Sequence, residues 1–159
     1  MKRKFIILIL LFSFVAIFAN KAHSQSVEIT GVDVSLTIST ATAGQDPDPV
    51  TDVATGLRYY AAAGPHKITV KTSLSSQNFT LTVKAINIVT GGDGGASGGN
   101  DQGVVTLSTT PRDFDFIRDI KKGTSGVPHT CTLKYTASAT VSQGTGSDVH
   151  TITYTIVKQ

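Results

Sequence analysis

Asp46, Asp48 and Asp52 fall within one short stretch, QDPDPVTD. Three carboxylates on one loop are the hard oxygen donors that Ca²⁺ takes. A second polar stretch, GGDGGASGGND, adds Asp93, Asn100 and Asp101. Neither matches the EF-hand loop, and the second lacks the recurring apolar position of the nonapeptide calcium repeat. The plainer reading of both is solvated loop carboxylates. The expectation is therefore no cofactor, with calcium at Asp46, Asp48 and Asp52 as the alternative. Tyr59 and Tyr60 are adjacent, so on a strand one of them faces away from the core. An exposed tyrosine is a handle for a glycan, and these two are the candidate ligand-binding residues.

No catalytic constellation emerges. GTSGV at 123–127 is not the G-x-S-x-G turn that lifts a nucleophilic serine, and no strand–turn–helix pattern surrounds it. His66, His129 and His150 lie at turns or strand starts with no H-x-x-x-H or Cys/His spacing, which argues against zinc. The lone Cys131 falls in the apolar register of its strand and reads as a buried small hydrophobe. Without a convergent acid, base and nucleophile, the expectation is a protein that is not an enzyme.

The N-terminus suggests where such a chain works. MKRK precedes the uncharged run FIILILLFSFVAIFA, and Ala22 and Ser24 offer the small residues a signal peptidase reads. Residues 1–24 are expected to be a cleaved signal peptide, leaving 25–159 as one exported domain with no stable membrane span. The apolar run is shorter than the roughly 20 residues a spanning helix needs. The whole chain has a formal charge of +3. Removing Lys2, Arg3, Lys4 and Lys21 leaves ten basic against eleven acidic residues. The basicity belongs to the export segment, which argues against nucleic acid as a partner.

The rest of the chain reads as strands, because β-branched residues suit a pleated surface and Gly and Pro punctuate it. In SVEITGVDVSLTIST, Val27 and Ile29 share one parity and Val32, Val34, Leu36 and Ile38 the other. The phase flips at Gly31, which marks a bulge or a change of sheet. Residues 41–56 read as loop, LRYYAAA as a short strand, and KITVKTSL and FTLTVKAINIV as alternating strands, the latter slipping phase at Ile86. Residues 91–103 are too glycine-rich for a strand and are expected to form a mobile, dispensable loop. Thr110, Pro111, Asp113 and Gly123 supply helix start and stop signals, and Phe114, Ile117 and Ile120 recur at threes, so a short helical turn is expected near 111–121. Cys131 to Val141 on odd positions and Ile152 to Ile156 on even ones are expected to pair as a closing hairpin, Tyr135 with Ile156 and Ala137 with Tyr154. Its outer rows would match Thr136 with Thr155.

Seven or so short alternating strands predict an all-β fold, an antiparallel β-sandwich, with a small barrel as the alternative. VVTLSTT, PRDFDFIRDI and the closing strands together, roughly 104–157, resemble the C-terminal half of secreted bacterial Ig-like sandwiches of the fimbrial and surface-protein type. That resemblance implies a surface or filament role and carries no catalytic residue. The expectation is a secreted, non-enzymatic cell-surface structural or adhesion protein, extracellular or periplasmic, that self-associates through Val32, Val34, Leu36 and Ile38 or meets other surface proteins. The alternative is a secreted glycan- or calcium-binding module.

Overall fold

Where β-branched and aromatic residues alternate with polar ones, a pleated chain turns them to opposite faces, and the chain forms strands. The computed structural model describes residues 25–39, 42–92, 95–109, 116–122, 127–143 and 146–159, and the expected signal peptide at 1–24 lies outside them. The described strands are β1 (Ser26–Thr30), β2 (Val50–Tyr60), β3 (His66–Thr72), β4 (Thr80–Val89), β5 (Asn100–Asp101), β6 (Val105–Thr106), β7 (Ile117–Ile120), β8 (His129–Ser138) and β9 (Ile152–Lys158). They make two antiparallel sheets, one ordered β1-β2-β8-β4-β6 and the other β5-β7-β3-β9. The fold is all-β. No helix occurs among the described residues, so none there is long and apolar enough to cross a membrane.

The inner faces of the two sheets share one core. Leu57, Val83 and Leu133 contribute from the first sheet and Ile68, Ile117 and Ile156 from the second. Full burial of a side chain of this size stabilises by ~1.5–3 kcal/mol. Between the sheets, the Tyr135 and Tyr154 hydroxyls hydrogen-bond each other at 2.7 Å. Two buried phenols are thereby satisfied together, which avoids the desolvation cost of an unpartnered buried hydroxyl.

The parity read from the closing segment holds, but its pairing does not. Cys131, Leu133, Tyr135, Ala137 and Ala139 are buried, as are Tyr154 and Ile156. β8, however, is the middle strand of its sheet, and both its edges are taken: Tyr135 pairs with Asp52 on one side and Val83 on the other. No edge remains for β9, which pairs with β3 instead, Tyr154 against Val70 and Ile156 against Ile68. The chain between them crosses from one sheet to the other, and Val141, expected inward, is exposed in that crossing. The threonine rows re-partner accordingly. Thr136 lies between Thr51 and Thr82, with Thr106 beyond, and Thr155 faces Thr69.

Two other expectations change. Residues 50–56, read as loop, belong to β2, which reaches β8 through a bulge between Asp52 and Thr55. Of the expected helical turn, residues 111–115 lie outside the described residues, and Ile117–Ile120 form strand β7. Its spacing of three has a strand explanation. His66 pairs with Ile120 and Ile68 with Ile117, so two steps on β3 span three on β7, and Asp119 takes φ 60° between them. A bulge of this kind lets both isoleucines point inward. The phase slip at Ile86 is likewise a bulge, with Asn87 at φ 53°.

Candidate functional site

Val34, Leu36 and Ile38 alternate as a strand should, and they are half-buried against the core. Yet residues 32–39 join neither sheet, contrary to the strand expected there. The departure begins at Gly31, where β1 ends. Its φ is +106°, and a Cβ there would sit 2.5 Å from the Ala54 carbonyl oxygen. A side-chain-free residue in the left-handed region lets the backbone press against β2 and then leave it. The Thr55 hydroxyl ties the segment back, donating to the Val32 carbonyl at 3.2 Å. Val32 itself is 69% exposed, so of the four expected self-association residues three face inward and one faces solvent.

Beyond this segment lies a groove of about 850 Å³. Its floor includes Phe79 and Leu81 near the start of β4 and Tyr135 and Ala137 of β8; its walls are residues 32–38 and the run-in to β9 from Gly146 to Ile152. β9 is the last strand of its sheet, so among the described residues no strand is hydrogen-bonded to its outer edge, although β1 packs near it. At the far end of that edge, the Gln25 side-chain amide donates to the Ile156 carbonyl at 3.3 Å.

The β9 wall carries the polar chemistry. The Asp148 carboxylate accepts hydrogen bonds from Asn78 N–H (2.8 Å), Phe79 N–H (3.0 Å) and the Asn78 side-chain amide (2.6 Å). Burial pushes this carboxyl up, but the bonds from Phe79 and Asn78, with His150 nearby, outweigh it and hold it below the usual carboxylate range. Thr72 Oγ1 lies 3.0 Å from His150 Nδ1, and His150 Nε2 lies 3.9 Å from Asp148. These are the residue types of a hydrolytic triad, but not its geometry. Thr72 is 1% exposed and its hydroxyl also accepts the Leu74 N–H, and 3.9 Å is too long for a hydrogen bond. The trio fastens the β9 run-in to the β3–β4 turn.

The opposite end of the molecule overturns the expectation of a mobile loop. His129, at the start of β8, is buried; Gly91 N–H donates to its Nδ1 and its Nε2–H donates to the Lys121 carbonyl, both at 3.0 Å. An amide only donates and a carbonyl only accepts, so the ring is neutral with its proton on Nε2. Burial lowers the His129 pKa, opposed by its bond to the Lys121 carbonyl. Tyr59 packs against this ring and donates its hydroxyl to Gly98 O at 2.6 Å. Ser97 bridges to Lys121, and Asn100–Asp101 pair with β7 as β5. A Cβ on Gly91 would meet the Pro128 carbonyl oxygen at 2.0 Å, so glycine here buys close approach rather than freedom.

The remaining candidates are not brought together. Asp46 accepts Val141 N–H at 2.9 Å, tying its loop to the turn after β8, and Asp52 accepts Ala54 N–H at 2.8 Å within the β2 bulge. Among the described residues no three His, Cys, Asp or Glu side chains converge to hold a metal ion. Tyr59 is buried and its hydroxyl engaged; Tyr60 is half-buried with Arg58 over its ring. His66 is buried, its Nδ1–H bonded to the Gly64 carbonyl at 2.9 Å. Burial raises the Cys131 thiol to about 11, in keeping with an inert core position. No sequence signal marks Asp148: it sits in a Gly/Ser-rich break, and its partner Asn78 is 70 residues away.

These features define an all-β protein of two antiparallel sheets with a lateral groove, one wall of which is an extended segment outside both sheets. No family model matches the chain, and neither a curated protein nor a solved structure matches it.

Proposed function

We propose that this chain is a secreted, non-enzymatic structural or adhesion protein of the cell surface, an Ig-like sandwich whose copies associate by exchanging residues 32–38. One observation carries the reading. Val34, Leu36 and Ile38 hold a strand's alternation and pack on the core, yet they form no ladder, and β9, whose first residue Ile152 lines the same groove, has an edge with no hydrogen-bonded strand among the described residues. A segment held by side-chain packing and the Thr55–Val32 hydrogen bond leaves with fewer bonds to break than a laddered strand, and the same apolar contacts form in cis or in trans. Added main-chain bonds along a free edge would favour the exchanged form.

Light scattering and sedimentation of the exported protein over a concentration series test this. Concentration-dependent oligomers are expected. They should vanish when residues 25–38 are deleted, or when Val34 and Leu36 are both changed to Asp in a variant that stays folded. A wild type that is strictly monomeric at high concentration overturns the reading and favours an isolated glycan- or calcium-binding module.

A further inference from the structure

Residues 146–151 wall the groove but belong to no strand. Among the described residues three ties fasten them to the end of β3 and the β3–β4 turn. Ser73 N–H donates to the Thr151 carbonyl at 3.0 Å, Thr72 bonds His150, and Asp148 takes its three bonds from Asn78 and Phe79. The Asp148 tie is the charged one and the farthest along the chain from the β9 ladder. We infer that Asp148 is an acid-sensitive clasp: its carboxylate holds the groove wall against the β3–β4 turn, and losing the charge frees that wall and widens the groove for an incoming strand.

The chemistry follows from the donors. Three N–H groups converge on one carboxylate, and an ionised acid offers acceptors to all of them. Protonation puts a fourth proton among them and removes the charge that strengthens each bond. The β3–β4 turn brings no other titratable group to the site. His150 approaches along Asp148's own segment, and Asp33 lines the opposite side of the groove. Because the folded carboxyl sits below its usual range, the clasp's contribution is complete above the unfolded value of ~3.9 and is lost as pH falls through the folded one.

The widening rests on the strand-exchange reading; the clasp does not, and the two are measured separately. Amide exchange on the exported protein, read as protection factors, tests the clasp. Asp148→Asn at neutral pH should lower protection at Asn78 and Phe79 by about tenfold or more, with Val83 and Leu133 unchanged. The wild type should show the same local drop well below pH ~3.9, with no further step in the variant. Wild-type protection at Asn78 and Phe79 in D148N overturns the clasp. If D148N loosens the whole fold, Asn78→Ala decides: it keeps the charge and removes one bond, and the absence of any local drop overturns the proposal. Light scattering then tests the widening. D148N should assemble faster, and an open clasp with unchanged assembly overturns the coupling. No assembly by either protein defeats the exchange reading while the exchange data still decide the clasp.

Discussion

Residues 32–38 and residues 91–101 have exchanged the roles their compositions suggest. The first segment is apolar and alternating, yet it joins no sheet. The second is mostly glycine and polar, yet its described residues are bonded to β2, β7 and β8. Alternation specifies which side chains are buried, and Val34, Leu36 and Ile38 obey it; it does not supply a partner edge. Glycine denies a strand its side chains, but it lets a backbone come close enough for a histidine and a tyrosine to take its amide and carbonyl groups.

The contrast breaks most visibly at His129. His129→Ala leaves the Gly91 N–H without its acceptor, leaves the Lys121 carbonyl with only the longer bond from Ser97 N–H, and opens a cavity beside Tyr59. A loss of ~3 kcal/mol or more in urea unfolding is expected; a loss below ~1 kcal/mol would return residues 91–101 to the status of a dispensable loop. Tyr59→Phe removes the single hydroxyl bond to Gly98 and should cost about 1–2 kcal/mol. Faster amide exchange near Gly98, without loosening of β8, is the accompanying sign.

A pH series sharpens the same side of the comparison. His129 is neutral in the fold with its pKa lowered, so between that value and the unfolded ~6.5 the unfolded chain binds more protons. The His129 contribution to stability is complete above about pH 6.5 and is lost as pH falls through the folded value. Urea midpoints measured from neutral to mildly acidic pH should decline. The decline should shrink in His129→Asn, and an equal decline in that variant refutes the assignment.

The smallest effects belong to the unpaired segment. Leu36→Ala, half-buried, should cost about 1 kcal/mol, and Val32→Ser, mostly exposed, no more than ~0.5 kcal/mol. Thermal unfolding of both variants checks this. A large loss at Val32 would mean that its side chain is covered, as it would be in an assembled form.

Much of the fold was legible because alternation is local. The inward rows of β3, β4, β8 and β9, the bulge at Ile86 and the turning point at Gly31 all follow from a period of two and its interruptions. Nothing local distinguishes a spacing of three on a helix from the same spacing across a bulge, which is why Ile117 and Ile120 suggested a helical turn. Nor does strand order announce itself. Tyr135 was bound to face inward, but whether it lay opposite Ile156 or Val83 depended on which strands had already occupied both edges of β8. The groove, the Asp148 clasp and the His129 anchor belong to that second kind of decision. Each joins residues far apart in the chain. A hydrogen-bond partner is a matter of position in space, and only the packing of the two sheets against each other decided those positions.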